Sequence, residues 1–132
     1  MASVFSKLNL KGQREILVVD PPASFEPELA ALAGVAVIRD PAHVSNTSFA
    51  LLFATTQAGV DALSMGVLDK LDGDAILWFA YPKATSRKYR CDFNRDSGWS
   101  VLRAHGFDTV RQVAIDADWS ALRFRRVEYI RR

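Results

Sequence analysis

Apolar and polar positions along the chain follow two periods. Four short runs are almost wholly apolar: EILVVD (15–20), VAVIRD (35–40), SFALLFATT (48–56) and DAILWFAYP (74–82). They are rich in β-branched or aromatic residues and lack in–out alternation, the pattern of strands buried on both faces. Between them the spacing becomes helical. Ser24 is placed to cap a helix that tolerates Pro27 in its first turn, with Phe25, Leu29 and Leu32 on one face and Gly34 at its stop. Over 57–71, Val60, Leu63, Val67, Leu68 and Leu71 recur at helical intervals before Gly73. A further helix around 95–105 carries Trp99 and Leu102 inward and ends at Gly106.

The last part of the chain changes character. FDTVRQVAID and WSALRFRRVEYIRR are longer and more polar, and the tight DADW turn between them predicts an antiparallel hairpin. Leu122 and Phe124 share a parity that Val127 and Tyr129 do not. Either both faces are covered or a bulge near Arg125–Arg126 shifts the phase. Strand–helix–strand alternation with continuous apolar strands calls for a parallel sheet coated by helices on both faces. The expected fold is therefore α/β: a three-layer Rossmann-like sandwich whose sheet of about six strands is mostly parallel and ends in an antiparallel hairpin. The expected strand order is 2-1-3-4-6-5.

This order resembles a truncated class I methyltransferase domain, whose parallel sheet also ends in a hairpin. More closely, KLNLKGQREILVVDPPASFE, AILWFAYPKATSR and AIDADWSALRF are similar to segments of a family of small bacterial proteins of unknown function. Its members share a lysine–leucine opening and a strand ending in a proline-containing turn. They also share a tryptophan–aromatic–proline–lysine strand end and a tryptophan–serine–alanine–leucine–arginine–phenylalanine finish. The resemblance spans nearly the whole chain. It implies the fold and brings neither an activity nor a catalytic residue.

The chain departs from true methyltransferases at one telling place. Those enzymes put a glycine-rich turn after the first strand, so that backbone can approach the cofactor. Here the turn is Asp20-Pro21-Pro22-Ala23-Ser24, without glycine and with two backbone donors removed by proline. The loop after the second strand also leads straight to the third, omitting one helix–strand unit. No cofactor is expected, S-adenosylmethionine included.

Composition adds limits. At 132 residues, 49% apolar and 24% charged, residues 1–132 form one domain with a real core. No apolar stretch approaches the roughly 20 residues of a membrane span. The opening MASVFSKLNLKGQREI is too polar for a signal peptide, and Cys91 is alone. A cytoplasmic protein with no intrachain disulfide and no membrane partner is expected. Charge is unevenly placed: residues 1–82 hold 5 Lys/Arg against 9 Asp/Glu, residues 83–132 hold 12 against 6. The asymmetry either steers an anionic partner or is a solvated face.

The densest charge lies in PKATSRKYR, where Lys83, Arg87, Lys88 and Arg90 fall within eight residues with no acid among them. The fourth strand opens into this loop at the edge where α/β sheets bind ligands, so these cations are the anion-binding candidates. A solvated loop of the same composition would bind nothing. The crevice candidates at the same edge are Asp20, Ser24, Asp40, Thr55, Thr56 and Tyr81. Asp40 stands where such folds place a ribose-gripping acid, but an aspartate before proline is also ordinary turn chemistry. One of Thr55 and Thr56 is expected to cap the next helix. Neighbouring cations would lower the Cys91 thiol pKa, yet neither a base nor an orienting group can be located, so the residue reads as a small buried or incidental cysteine. His43 and His105 lie too far apart, without cysteine or acid motifs, to make a metal site. Trp78, Trp99 and Trp119 sit in apolar patterns and read as packing residues.

Three functions compete on this basis. A non-catalytic or vestigial binding or interaction domain, with a homodimer as the simplest assembly, leads. An enzyme or binder taking a nucleotide-like or other anionic small molecule at the strands' carboxyl ends comes next. Nucleic-acid binding through the basic loop and the Arg123–Arg132 cluster is not favoured.

Overall fold

The apolar runs occupy the middle of the sheet and the polar hairpin its edge. The computed structural model describes residues 4–94 and 96–130. Its strands are β1 (Glu15–Val19), β2 (Ala36–Ile38), β3 (Thr47–Phe53), β4 (Leu71–Pro82), β5 (Phe107–Ala114) and β6 (Trp119–Arg126). They lie in the order β2-β1-β3-β4-β6-β5, as expected. β2, β1, β3 and β4 pair in parallel, and β6 pairs antiparallel with both β4 and β5.

Helices α1 (Val4–Lys7) and α2 (Glu26–Ala30) cover one face; α3 (Gln57–Val67) and α4 (Ser100–Ala104) cover the other. Under α1 and α2 lie Ile16, Val18, Phe49, Leu51 and Trp78. Under α3 and α4 lie Leu17, Leu52, Leu77, Phe79 and Phe124. Burying one such phenylalanine contributes about 1.5–3 kcal/mol, so the fold rests on both layers. No helix among the described residues is long and apolar enough to cross a membrane.

Several elements differ from expectation for physical reasons. α1 has too few residues for any periodicity to show in VFSK. It is fixed by burial of Phe5 and Leu8 and by the Trp78 Nε1–H bond to the Leu8 carbonyl at 2.8 Å. Ser24 caps nothing: the chain enters α2 through a 3-10 turn at Ala23–Phe25 that places Ser24 inside it. Pro27 does sit in the first turn of α2.

The helix foreseen over 57–71 stops at Val67, and Leu71 belongs to β4, paired with Thr47. Asp72, Gly73 and Asp74 then bulge before Ile76 meets Phe49, with Gly73 at φ +46°. The hairpin's phase problem resolves by burial on both faces, not by a bulge near Arg125–Arg126. β6 buries Trp119 and Ala121 on one face and Leu122 and Phe124 on the other. The bulge, however, lies in β5 between Thr109 and Arg111, and Val127–Tyr129 forms a 3-10 turn beyond the strand. Arg95, first residue of the helix expected at 95–105, and the terminal Arg131 and Arg132 lie outside the described residues.

Candidate functional site

Connections leave the carboxyl edge of all four parallel strands, and those after β1 and β3 line a crevice. After β1, Asp20 adopts φ +57°, a left-handed conformation that aspartate tolerates better than most residues. Pro21 and Pro22 follow, so the turn presents little backbone N–H to anything in front of it. After β3, Thr55 and Thr56 are exposed and α3 begins. Thr56 is its cap, the hydroxyl accepting from Gly59 N at 3.0 Å. A side chain at residue 59 would crowd that hydroxyl, with a Cβ only 3.1 Å from Thr56 Oγ1.

After β4, residues 83–94 cross the carboxyl edge from one face to the other. Tyr89 packs with the core beneath α1 and α2, whereas Cys91 and Phe93 pack with the core beneath α3 and α4. The Asp92 carboxylate accepts from Gln57 N at 2.6 Å, and Asp92 N donates to the Thr55 carbonyl. Gln57 Nε2 donates to the Gly98 carbonyl at 2.7 Å. On the hairpin side, Ser86 Oγ donates to Asp118 at 2.8 Å, and the Tyr89 ring lies 4.9 Å from that of Trp119. The loop is thus fastened to α3 at one end and to the hairpin at the other.

The resulting crevice has a volume of about 380 Å³. Asp20, Thr55 and Thr56 line it with Phe53, Leu63 and Trp119. Asp20 is the one titratable side chain of that lining. Tyr81 stands apart: it borders an adjacent cavity of about 290 Å³ with Lys83, Thr85, Gln112 and Ser120. Its hydroxyl accepts from Gln112 Nε2 at 2.8 Å. Ser24 and Asp40 join neither space. Asp40 caps a 3-10 turn at Pro41–His43, accepting from Ala42 N at 2.9 Å.

The basic residues divide between two ends of the molecule. Arg87, Lys88 and Arg90 are exposed at the carboxyl end of β4. Arg125 and Arg126 lie at its amino end, bound to Asp74 and to the Leu71 carbonyl respectively. They therefore do not form one continuous surface with the loop.

Cys91 is partly buried, and the cations beside it in sequence do not activate its thiol. Burial pushes its thiol up and the Asp92 charge does the same, while a backbone bond at Phe93 works in the other direction. His105 ends α4 with Nδ1 2.8 Å from the Val101 carbonyl, and His43 is exposed. No group of three metal-ligating side chains occurs among the described residues. What sequence reasoning missed is the apolar lining, Trp119 above all. Its signal was available, since a strand running antiparallel to β4 must begin at that strand's carboxyl edge, where Trp119 meets Pro82.

No protein-family model and no curated protein matches the sequence. Solved structures do match its fold. A putative type 11 methyltransferase from Sulfolobus solfataricus aligns with a TM-score of 0.52 at 10% identity, covering 87% of this chain and 85% of that one. The fibrillarin pre-rRNA processing protein of Methanococcus jannaschii gives 0.55 at 13% identity, over 87% of this chain and 67% of its own. TrmN from Thermus thermophilus gives 0.57 at 10% identity, over 94% of this chain but 47% of that chain. At these identities the likeness is one of fold: a methyltransferase-like, Rossmann-like layout.

Proposed function

We propose that this chain is a non-catalytic binding domain of methyltransferase-like build, and that it takes a small ligand in the crevice between β1, β3 and α3. The observation that carries the reading is the crevice lining. One carboxylate and two hydroxyls face an apolar wall, and no base, thiol or second acid stands beside Asp20 to complete a reactive set. Such a lining suits a ligand that donates hydrogen bonds to Asp20 and lays an apolar or ring portion against Phe53, Leu63 and Trp119. The glycine-free turn after β1 and the self-capped start of α3 speak against a phosphate being cradled by backbone there.

The test is thermal unfolding against amines, nucleosides, nucleotides and S-adenosylmethionine, with methyl transfer from labelled donor followed in parallel. A nucleoside or amine is expected to raise the midpoint, Asp20→Asn to weaken that ligand about tenfold, and no label to move. A flat response across the set, or transfer of the label, would overturn the reading.

A second reading has its own support, because the loop bearing Lys83, Arg87, Lys88 and Arg90 crosses the carboxyl edge beside the crevice. An anionic ligand would then be held there by arginine forks. Its affinity should fall with salt, and Arg87→Gln with Arg90→Gln should remove the salt dependence.

A further inference from the structure

β5 and β6 pair Arg111 directly with Arg123. By strand alternation both lie on the sheet face that carries Trp119 and Ala121, the face beneath α1 and α2. Lys7 of α1 reaches the same strand, its ammonium donating to the Ala114 carbonyl at 3.0 Å. The next arginine along that face is answered: Arg125 grips Asp74 through two bonds of 2.8 and 2.5 Å. Neither Arg111 nor Arg123 belongs to the ion pairs recorded among the described residues, which are Arg39–Glu26, Arg103–Asp108 and Arg125–Asp74; Asp74, engaged by Arg125, acts on Arg123 only at a distance. Arg123 is half-buried, and its Nε–H is buried without an acceptor.

Like charges directly opposite on neighbouring strands repel, and a buried charged donor left unpaired carries its full desolvation cost. Burial foremost, then the Arg125 and Arg111 charges, pull the Arg123 guanidinium below its ordinary value, with Asp74 opposing them. A pair of this kind is explained by a missing counter-ion better than by packing.

We propose that Arg111 and Arg123 form a binding site for a phosphate-class dianion, either free or carried on a larger ligand. An oxyanion between the two forks accepts from both, satisfies Nε and cancels the cross-strand repulsion. Two guanidinium charges that face one another favour a dianion over a singly charged carboxylate. The site lies on the hairpin, apart from the crevice and from the basic loop, and does not depend on either reading above.

The experiment is calorimetric titration of the full chain with inorganic phosphate, with ionic strength held constant by sodium chloride. One saturable event is expected. Arg111→Gln, an exposed edge substitution, should weaken it at least about tenfold. Arg123→Lys keeps a charge but loses the fork and should weaken it as well, whereas Arg14→Gln, which removes an exposed cation before β1 and away from the hairpin, should not. Adenosine monophosphate that displaces phosphate at equal concentration supports a bare oxyanion site, and tighter displacement supports a phosphate carried on a larger ligand. Phosphate displaced equally well by adenosine, heat matched by chloride alone, or full affinity in Arg111→Gln would overturn the proposal. So would a loss of stability in phosphate-free Arg111→Gln, since that would mean the pair already has its partner.

Discussion

The turn after β1 and the turn after β3 do the same topological job with opposite chemistry. Each carries the chain from a buried parallel strand to a helix at the same edge of the sheet. The first relies on a strained residue and two prolines, passes through a 3-10 turn and yields a helix of five residues without a side-chain cap. The second is capped twice over, by Thr56 from within and by Asp92 from a loop 35 residues away, and its helix runs to 11 residues. A helix start with its donors filled is stable and closed to an anion; a turn with few donors never offered them. Both routes leave the crevice with side chains as its main polar equipment.

The sharpest way to break this contrast is to cut the latch that holds the distant loop to α3. A Cβ at residue 98 would stand 2.6 Å from Gln57 Oε1 and 2.8 Å from Phe93 Cβ, on a backbone at φ +96°. Gly98→Ala should therefore cost about 3 kcal/mol in denaturant unfolding, combining overpacking with backbone strain. Asp92→Ala should cost about 1–2 kcal/mol and speed amide exchange at Gln57, whereas a silent Gln57 amide would mean the loop does not cap the helix. Thr56→Ala should cost about 1 kcal/mol without loosening the loop.

At the β1 turn, Asp20→Ala should cost about 1 kcal/mol because alanine tolerates the left-handed conformation poorly, and Asp20→Asn should cost almost nothing. Equal losses for the two variants would mean that the carboxylate charge, not the backbone, holds the turn.

The smallest effect belongs to the amino end of the sheet, which neither turn touches. The hydrogen bond from Arg125 holds the Asp74 carboxyl below its ordinary value. Its folded pKa is depressed, so its contribution is present above the unfolded value and fades as pH falls through the acid range below it. The pair is partly exposed and screened, so less than about 1 kcal/mol should disappear. Asp74→Asn should flatten that part of the pH–stability curve and leave neutral-pH behaviour of the crevice unchanged.

The strand order was readable because burial on both faces leaves an unmistakable mark: β3 and β4 are apolar almost residue by residue. Where local periodicity was asked for more, it misled. Leu71 continues the helical spacing of α3 yet pairs with Thr47, because a strand partner outweighs one more helical position. Ser24 has the chemistry of a cap but the wrong place in a 3-10 turn. Asp20, Thr55 and Thr56 meet at one crevice because strand ends in a parallel sheet share an edge, a fact of topology legible from the pattern. The Arg111–Arg123 pairing was hidden, since it depends on hairpin register and on a bulge that no single residue announces. Cys91 shows the limit of reading neighbours along the chain: its cationic neighbours point to solvent while the thiol is partly covered.

The indole of Trp78 bonds to a carbonyl 70 positions earlier, at Leu8. During ribosomal synthesis α1 can meet Phe25 and Phe49 early, but this bond has to wait until the fourth strand has emerged. A helix made well before its partner strand therefore gains its final fastening only late in synthesis.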